Sequence, residues 1–480
     1  MREYTPPPGS IPTLEVPDLS GIRRVHLVGI GGAGMSGLAR LLLAGGLHVS
    51  GSDLKESSPL AQLRALGAEV GVGHDAASLG EPDAVVVSTA IGPGNPEVAE
   101  ARRGGIPVLA RAQVLAALMR QRRGIAVAGT HGKTSTTSML AVILERAGLD
   151  PTYLVGGDLN ESGSNARSGD GELFLAEADE SDGSFLLLEP EVAVVTNVEA
   201  DHLDFYVDGD EIEAAFTAFC RRTGLVVACA DEEGAVRVVE SAGTPVVWYG
   251  EAESGGVVVE EVSIGKGMGA CRLRVAAAEG VEAWTGILEL PVPGRHHLLN
   301  AAGAVSAATR VGVSAAAAVE ALRGFGGVRR RWELRGTSGG AAFVDDYAHH
   351  PTEIAATLAA ARADGERRVV AVFQPHRYSR TSAMWRGLGE SLAGADLVVV
   401  TDVYGAGEQP VPGVTGKLVV DALVEASPGK RAVYLPRRSE VAPFLAREVR
   451  SGDLVLTLGA GDITMVGDET LGLLGASRGE

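Results

Sequence analysis

Residues Ile125-Ala126-Val127-Ala128-Gly129-Thr130-His131-Gly132-Lys133-Thr134-Ser135 run from four apolar positions through a glycine-broken turn into a Lys-Thr pair. An apolar helical pattern follows. Strand, glycine loop, lysine and helix in that order make a phosphate cradle. Loop N–H groups and the helix N-terminus face the anion, and a lysine at the loop end meets β- and γ-phosphates. The threonine hydroxyl can ligate Mg²⁺. The full Walker pattern needs glycine where this chain has Val127, so the loop is a variant. Lys133 is one of only five lysines, with Lys55, Lys266, Lys417 and Lys430. ATP is the expected ligand of Gly129, Thr130, His131, Gly132, Lys133, Thr134 and Ser135.

Upstream lies a second cradle. The apolar run 22–28 leads into Gly29-Ile30-Gly31-Gly32-Ala33-Gly34, which fits G-x-G-x-x-G and opens a helix pattern. Asp53 stands 19 residues beyond Gly34, at the end of a second expected strand, where a ribose-binding acid belongs. The motif does not say which nucleotide binds, and at this point a nicotinamide-dependent oxidoreductase remains open. Such an enzyme leaves residues 129–135 unexplained. A third strand is expected at 83–88.

Strands alternating with helices imply parallel sheets. The polar run Arg120-Gln121-Arg122-Arg123 separates the first unit from the loop-bearing one, and Gly326-Gly327 follows an Ala-rich helix expected from Ala301 to Leu322. The expected division is a Pro-rich tail at 1–21, then domains at 22–122, 123–326 and 327–480. The fold class is therefore α/β in three domains in series, at roughly 150 residues each.

Composition agrees and excludes alternatives. Apolar residues form 45% of the chain and aromatics 4%, so cores must be aliphatic. The charge sum of 42 − 61 = −19 opposes nucleic acid or an anionic membrane as partner. No run approaches 18 apolar residues, so membrane insertion is not expected. Cys220, Cys229 and Cys271 are odd in number and lack metal-ligand spacing, which predicts buried thiols in a reducing, cytoplasmic setting.

Two acidic clusters follow expected strands, 177–182 (EADESD) and 197–204 (NVEADHLD). Ligands of open parallel sheets sit at the carboxyl ends of strands, so both clusters should face the phosphate loop. Seven of the ten histidines fall in short polar clusters: His131, His202, His296, His297, His349, His350 and His376. Adjacent histidines on a helix or strand point apart, so each pair should divide its roles. Arg377 and Arg380 could clamp a carboxylate by paired hydrogen bonds.

Assembled, these pieces resemble the Mur ligases of peptidoglycan synthesis. They are 29–37 (GIGGAGMSG), 88–91 (STAI), 129–134 (GTHGKT), 177–182, 197–206, 294–300 (GRHHLLN), 345–353 (DDYAHHPTE) and 374–381 (QPHRYSRT). The phosphate loop is common to that family and to folylpolyglutamate synthase. The first glycine motif with DDYAHHPTE narrows the resemblance to members that charge UDP-N-acetylmuramate. These use either L-alanine or, in a recycling ligase, a preformed murein peptide. The small first turn and the Thr-Glu ending favour L-alanine.

The resemblance implies a Rossmann-like UDP-binding domain, a central ATPase domain and a C-terminal Rossmann-like domain. It implies that ATP phosphorylates the lactyl carboxylate and that the alanine amine attacks the acyl phosphate. Lys133, His202 and Arg377 would be catalytic, and Thr134, Glu177 and His202 would hold Mg²⁺. Gly31, Gly32, Ala33, Gly34, Asp53, Ser88 and Thr89 would meet the UDP part. His297, Asn300, Arg330, Arg331 and Asp346 would meet ATP. Tyr347, His349, His376, Arg377 and Arg380 would serve the amino-acid side. The oligomeric state stays open. No lysine lies between Lys133 and Lys266, which excludes from this stretch the carbamylated lysine of sister ligases. His297 stands where the family commonly has Asn. With an ordinary pKa of about 6.5, it predicts weaker ATP binding as pH falls through that value.

Overall fold

A computed structural model describes residues 13–92, 94–160, 163–203, 205–252, 256–365 and 367–476. Pro6, Pro7, Pro8 and Pro12 of the expected tail lie outside the described residues.

Three sheets carry the chain. β1 (Arg24–Val28), β2 (His48–Asp53), β3 (Glu69–Val72), β4 (Ala84–Val87) and β5 (Val108–Ala110) form a wholly parallel sheet in the order β3-β2-β1-β4-β5. The order reverses between β1 and β4, and the glycine turn leaves β1 at that switch point, where ligands of such sheets bind. The run expected as the third strand is β4. β3 escaped notice because its Glu-Val-Gly-Val run is mostly exposed and lacks an apolar face.

The central sheet has β6 (Arg123–Ala128), β7 (Thr152–Leu154), β8 (Ala166–Arg167), β9 (Leu173–Glu177), β10 (Val192–Val195), β11 (Leu225–Cys229) and β12 (Val246–Gly250). It continues into β13 (Val257–Gly265), β14 (Met268–Val275) and β15 (Trp284–Leu290). Its order is β15-β14-β13-β12-β11-β10-β6-β9-β7-β8. The last three strands pair antiparallel with one another and extend a parallel core.

The helices Lys133–Arg146 and Arg295–Arg310 cover one face of this sheet. Met139, Leu140, Ile143, Leu298, Ala301 and Val305 lie in one buried cluster with sheet residues. Phe185, Phe216 and Phe219 cluster on the other face, with Phe219 stacked on Phe185 and Phe216 edge-on to it. The Ala-rich segment expected as one helix is two, Arg295–Arg310 and Ala315–Arg323. Gly312 has φ +97°, which ends the first, and the Ser314 side chain caps the second.

The third sheet takes β16 (Glu333–Ser338), β17 (Ala341–Asp346), β18 (Val369–Phe373), β19 (Leu397–Val400), β20 (Arg431–Tyr434) and β21 (Leu454–Leu458) in the order β16-β17-β21-β18-β19-β20. Only the edge strand β16 is antiparallel. Runs such as Leu-Val-Val-Val in β19 are buried throughout, as strands covered on both faces require. All three cysteines are buried and unbridged.

Candidate functional site

β6 lies between β9 and β10, with Val127 beside Glu177 and Ala128 beside Val195. The phosphate loop therefore emerges between the two acid-bearing strand ends. Its glycines are steric necessities. Gly129 has φ +135°, and a Cβ there would collide with the Thr196 hydroxyl. Gly132 has φ +79°, and its Cβ would lie 2.6 Å from Asn300 Oδ1. The His131 amide donates to Asn197 Oδ1 at 2.8 Å, which ties the loop to the second acidic strand end.

Lys133 Nζ donates to the carbonyls of Gly129 at 2.6 Å and Thr130 at 3.2 Å, and to Glu180 Oε1 at 2.7 Å. Although burial works against the charge, Glu180, Asp179 and Glu177 keep this ammonium cationic. Burial pushes the Glu180 carboxyl up to about 7, against the pull of Lys133. Its Oε2 is buried with no hydrogen-bond partner. Thr134 Oγ1 donates to Glu177 Oε1 at 3.1 Å, and Glu177 Oε2 accepts the Gly156 amide at 2.8 Å. A hydroxyl and carboxylates with an orphaned buried oxygen form a hard-oxygen donor set that suits Mg²⁺. His202, in a left-handed conformation at φ +52°, points Nε2 to within 3.6 Å of Glu180 and 3.7 Å of Asp201. Burial, with Lys133 and Arg380, keeps its imidazole below the ordinary value.

These groups open on a chamber of about 660 Å³ built from all three domains. Ala33 arrives from the first glycine turn and Lys133, Thr134, Glu177 and His202 from the centre. Arg331, Tyr347, His349, His376, Arg377 and Arg380 arrive from the third unit. Burial lowers the imidazoles of His349 and His376 to about 4 and about 3, so both are neutral at pH 7. His376 stacks on Tyr404 with ring centroids 5.7 Å apart. Arg330 and Arg331 both lie over the Tyr347 ring, but they differ in use. Arg330 is tied to the carbonyls of Gly459, Ala460 and Gly461, whereas Arg331 reaches both this chamber and its neighbour. The Arg380 fork is held by the carboxylate of Asp201 at 3.0 and 3.1 Å.

The neighbouring cavity, about 240 Å³, lies across Gly132 and Ser135 and is lined by His296, His297, Asn300 and Asp346. The expected division of roles fails for His296 and His297. Both line this cavity, with rings 4.1 Å apart. It holds for the second pair: His349 faces the chamber while His350 packs on His131 at 4.5 Å. Both ring nitrogens of His297 are buried without a hydrogen-bond partner. Burial, with His296 and Arg331 nearby, drives its pKa well below 6.5. The pH dependence expected from an ordinary histidine is therefore corrected, because the ring stays neutral across the physiological range. Asp346 accepts from the amides of Trp332 and Ala348 at 2.8 and 2.9 Å, and burial raises its carboxyl to about 6.

In the first sheet Asp53 Oδ2 accepts the Gly31 amide at 2.9 Å, so this acid shapes the glycine turn itself. Ser88 follows β4 and Thr89 is exposed; neither lines the chamber. The same turn does approach Gly29, where an added Cβ would lie 3.1 Å from Ile91 Cδ1. Sequence reading missed Arg111 beside Gly34, and Asn165, whose side chain donates to the Ala33 carbonyl at 2.7 Å. Neither lies in a motif, and both matter only through contacts distant in sequence.

The description "Mur ligase family, catalytic domain" matches residues 24–123, "Mur ligase middle domain" residues 127–308 and "Mur ligase, glutamate ligase domain" residues 330–461. A protein of Mycobacterium sp. (strain JLS) named UDP-N-acetylmuramate–L-alanine ligase is 50% identical over 474 residues, covering 95% of this chain and 96% of its own length. The crystal structure of a UDP-N-acetylmuramate-alanine ligase from Thermotoga maritima is similar, with TM-score 0.79 and 30% identity over 95% of this chain and 99% of its own. A murein peptide ligase from Psychrobacter arcticus matches with TM-score 0.70 and 27% identity, covering 95% of this chain and 99% of its own.

Proposed function

The chain belongs to the Mur ligase family, and we infer that it joins L-alanine to the lactyl carboxylate of UDP-N-acetylmuramate at the expense of ATP. The observation that carries this reading is the shared chamber, which Ala33 of the glycine turn, Lys133 of the phosphate loop and Arg377 of the third unit all line. A carboxylate delivered from the first domain can there meet a γ-phosphate on the loop, with an amine arriving from the third.

The carboxylate oxygen attacks the γ-phosphorus, the bond to the bridging oxygen breaks, and ADP leaves. The alanine nitrogen then attacks the acyl carbon, phosphate departs, and the nitrogen loses a proton. Lys133 exchanges the Glu180 carboxylate for phosphate oxygens and spreads the charge of the transferred group. Thr134 and Glu177, with His202 at a second position, would hold Mg²⁺, which when bound neutralises phosphoryl oxygens. Neutral His349 and His376 line the chamber with Arg377 and can offer it a hydrogen-bond donor or acceptor, while the guanidinium supplies the positive charge for the amino-acid carboxylate.

We assign the first, central and last domains to 22–122, 123–326 and 327–480, since each span carries one sheet. We place the protein in the cytoplasm, where buried unbridged thiols persist. Among the described residues no helix is long and apolar enough to cross a membrane.

The test is ADP release from ATP with UDP-N-acetylmuramate, in the presence and absence of L-alanine or a murein tripeptide. Turnover that requires the nucleotide sugar and L-alanine is expected. Preference for the tripeptide would give the recycling activity instead, and ADP release without either co-substrate would sink the ligase reading.

A further inference from the structure

Arg111 opens the helix Arg111–Met119 directly after β5. Its guanidinium crosses the space above Gly34: a Cβ on that glycine would collide with Arg111 Nη1 and lie 3.1 Å from Cζ. The last glycine of the G-x-G-x-x-G turn thus lies directly under the side chain of an arginine 77 residues further on. The ion pair to Asp179 is long, at 3.6 Å, outside good hydrogen-bond range, and the side chain is 26% exposed.

Arg111 lines a cavity of about 240 Å³ with Gly34, Gly156, Glu177, Asp179 and Ser184. Gly156, Glu177 and Asp179 also line the reaction chamber, so the two spaces adjoin. Among the described residues lining the smaller cavity, Arg111 is the one cation, and it faces two carboxylates. An anion that passes from the glycine turn toward Lys133 needs this cation, because Glu177 and Asp179 repel it. The amides at the start of the helix Ala33–Ala44 lie beside the same fork. A planar guanidinium next to such amides matches a diphosphate by paired N–H···O contacts.

We propose that Arg111 leaves Asp179 to grip the diphosphate of the nucleotide sugar, making it a binding residue at the junction of the first and central domains. This rests on the nucleotide-sugar reading given above.

The experiment measures equilibrium binding of UDP and of UDP-N-acetylmuramate to the full-length protein. The variants are Arg111→Met, Arg111→Lys and Arg111→Gln. Charge-assisted contacts of this kind predict that Arg111→Met weakens both ligands by a similar factor of about ten or more, with KM for ATP little changed. Arg111→Lys should recover part of the loss. Arg111→Gln removes the charge but keeps a polar side chain, so it should copy the Met variant, and it carries the test if that variant does not fold. Parent-like UDP binding by Arg111→Met overturns the proposal. A loss confined to UDP-N-acetylmuramate also overturns it, since the fork would then serve the lactyl carboxylate. Failure of the parent to bind UDP would instead overturn the nucleotide-sugar reading.

Discussion

Lys133 is held as a cation by groups of its own loop and by neighbouring acids. Two loop carbonyls and Glu180 occupy its three donors, so under the proposed function the ammonium would exchange one anionic partner for another when a nucleotide arrives. Lys133→Ala should lower ligation by at least about 10²–10³-fold, the cost of deleting one preorganised charge donor. Binding of UDP-N-acetylmuramate should survive, because its turn lies in another sheet; near-parent turnover would refute the phosphate-loop assignment. His297 is the opposite case, a buried ring with two unpartnered nitrogens. A neutral imidazole offers one donor and one acceptor to a base in the cavity. KM for ATP between pH 6 and 8 should therefore follow the same profile in the parent and in His297→Asn. A rise in KM toward pH 6 that only the parent shows would mean that this ring titrates after all.

At the scale of elements, the phosphate loop meets the helix Pro351–Ala363 through charge. Glu353 accepts the amides of His349 and His350 as the helix cap and faces His131 Nδ1 at 3.3 Å. His131 also lies 3.5 Å from Glu199, and the two carboxylates overcome burial to hold its imidazole at about 9. A folded pKa raised above the unfolded value of about 6.5 gives stability that is complete below 6.5 and lost as pH rises through 9. The unfolding free energy should therefore fall between pH 6.5 and 9, by an amount on the order of 2–3 kcal/mol, as denaturant titrations at each pH would measure. Glu353→Gln should flatten that slope, and an unchanged slope in the variant would contradict the pairing. This contact shows where sequence reading ends. The loop was legible because its glycines, lysine and strand are contiguous, and so was β10, a short run of valine and alanine buried throughout. The antiparallel strands β13 to β15 were not, because Glu, Arg and Gly interrupt them and much of β13 is exposed. His131 and Glu353 were each visible in motifs, but 222 residues separate them, and only folding makes one raise the charge of the other.

At the scale of the whole molecule, polar contacts among the described residues join the domains at the rim of the chamber. Asn165 meets the Ala33 carbonyl on one side, while Thr352 donates to Glu199 at 2.7 Å on the other. Between the central and last domains the Asp201–Arg380 pair is buried, with side chains 7% and 9% exposed. Burial opposes the Asp201 charge, but His202 and Arg380 hold its carboxyl well below the usual range, so the pair is ionised at neutral pH. Two uses of Arg380 compete: a latch that keeps the last domain closed, or a clamp that leaves Asp201 to take the alanine carboxylate. Breaking a buried pair by removing one partner costs about 3–5 kcal/mol, which the contacts of Glu353 and Thr352 to the central domain would have to offset. As a latch, Arg380→Ala and Asp201→Asn should each open the domain, raise the radius of gyration in solution scattering, and lower kcat more than they raise KM for L-alanine. Arg380→Lys should fall between them and the parent, because a point charge keeps the attraction but loses the fork. As a clamp, Asp201→Asn would release the guanidinium and lower KM for L-alanine, with unchanged scattering. The geometry favours the latch, since both oxygens of Asp201 accept from the Arg380 guanidinium in a buried pair that spans the two domains.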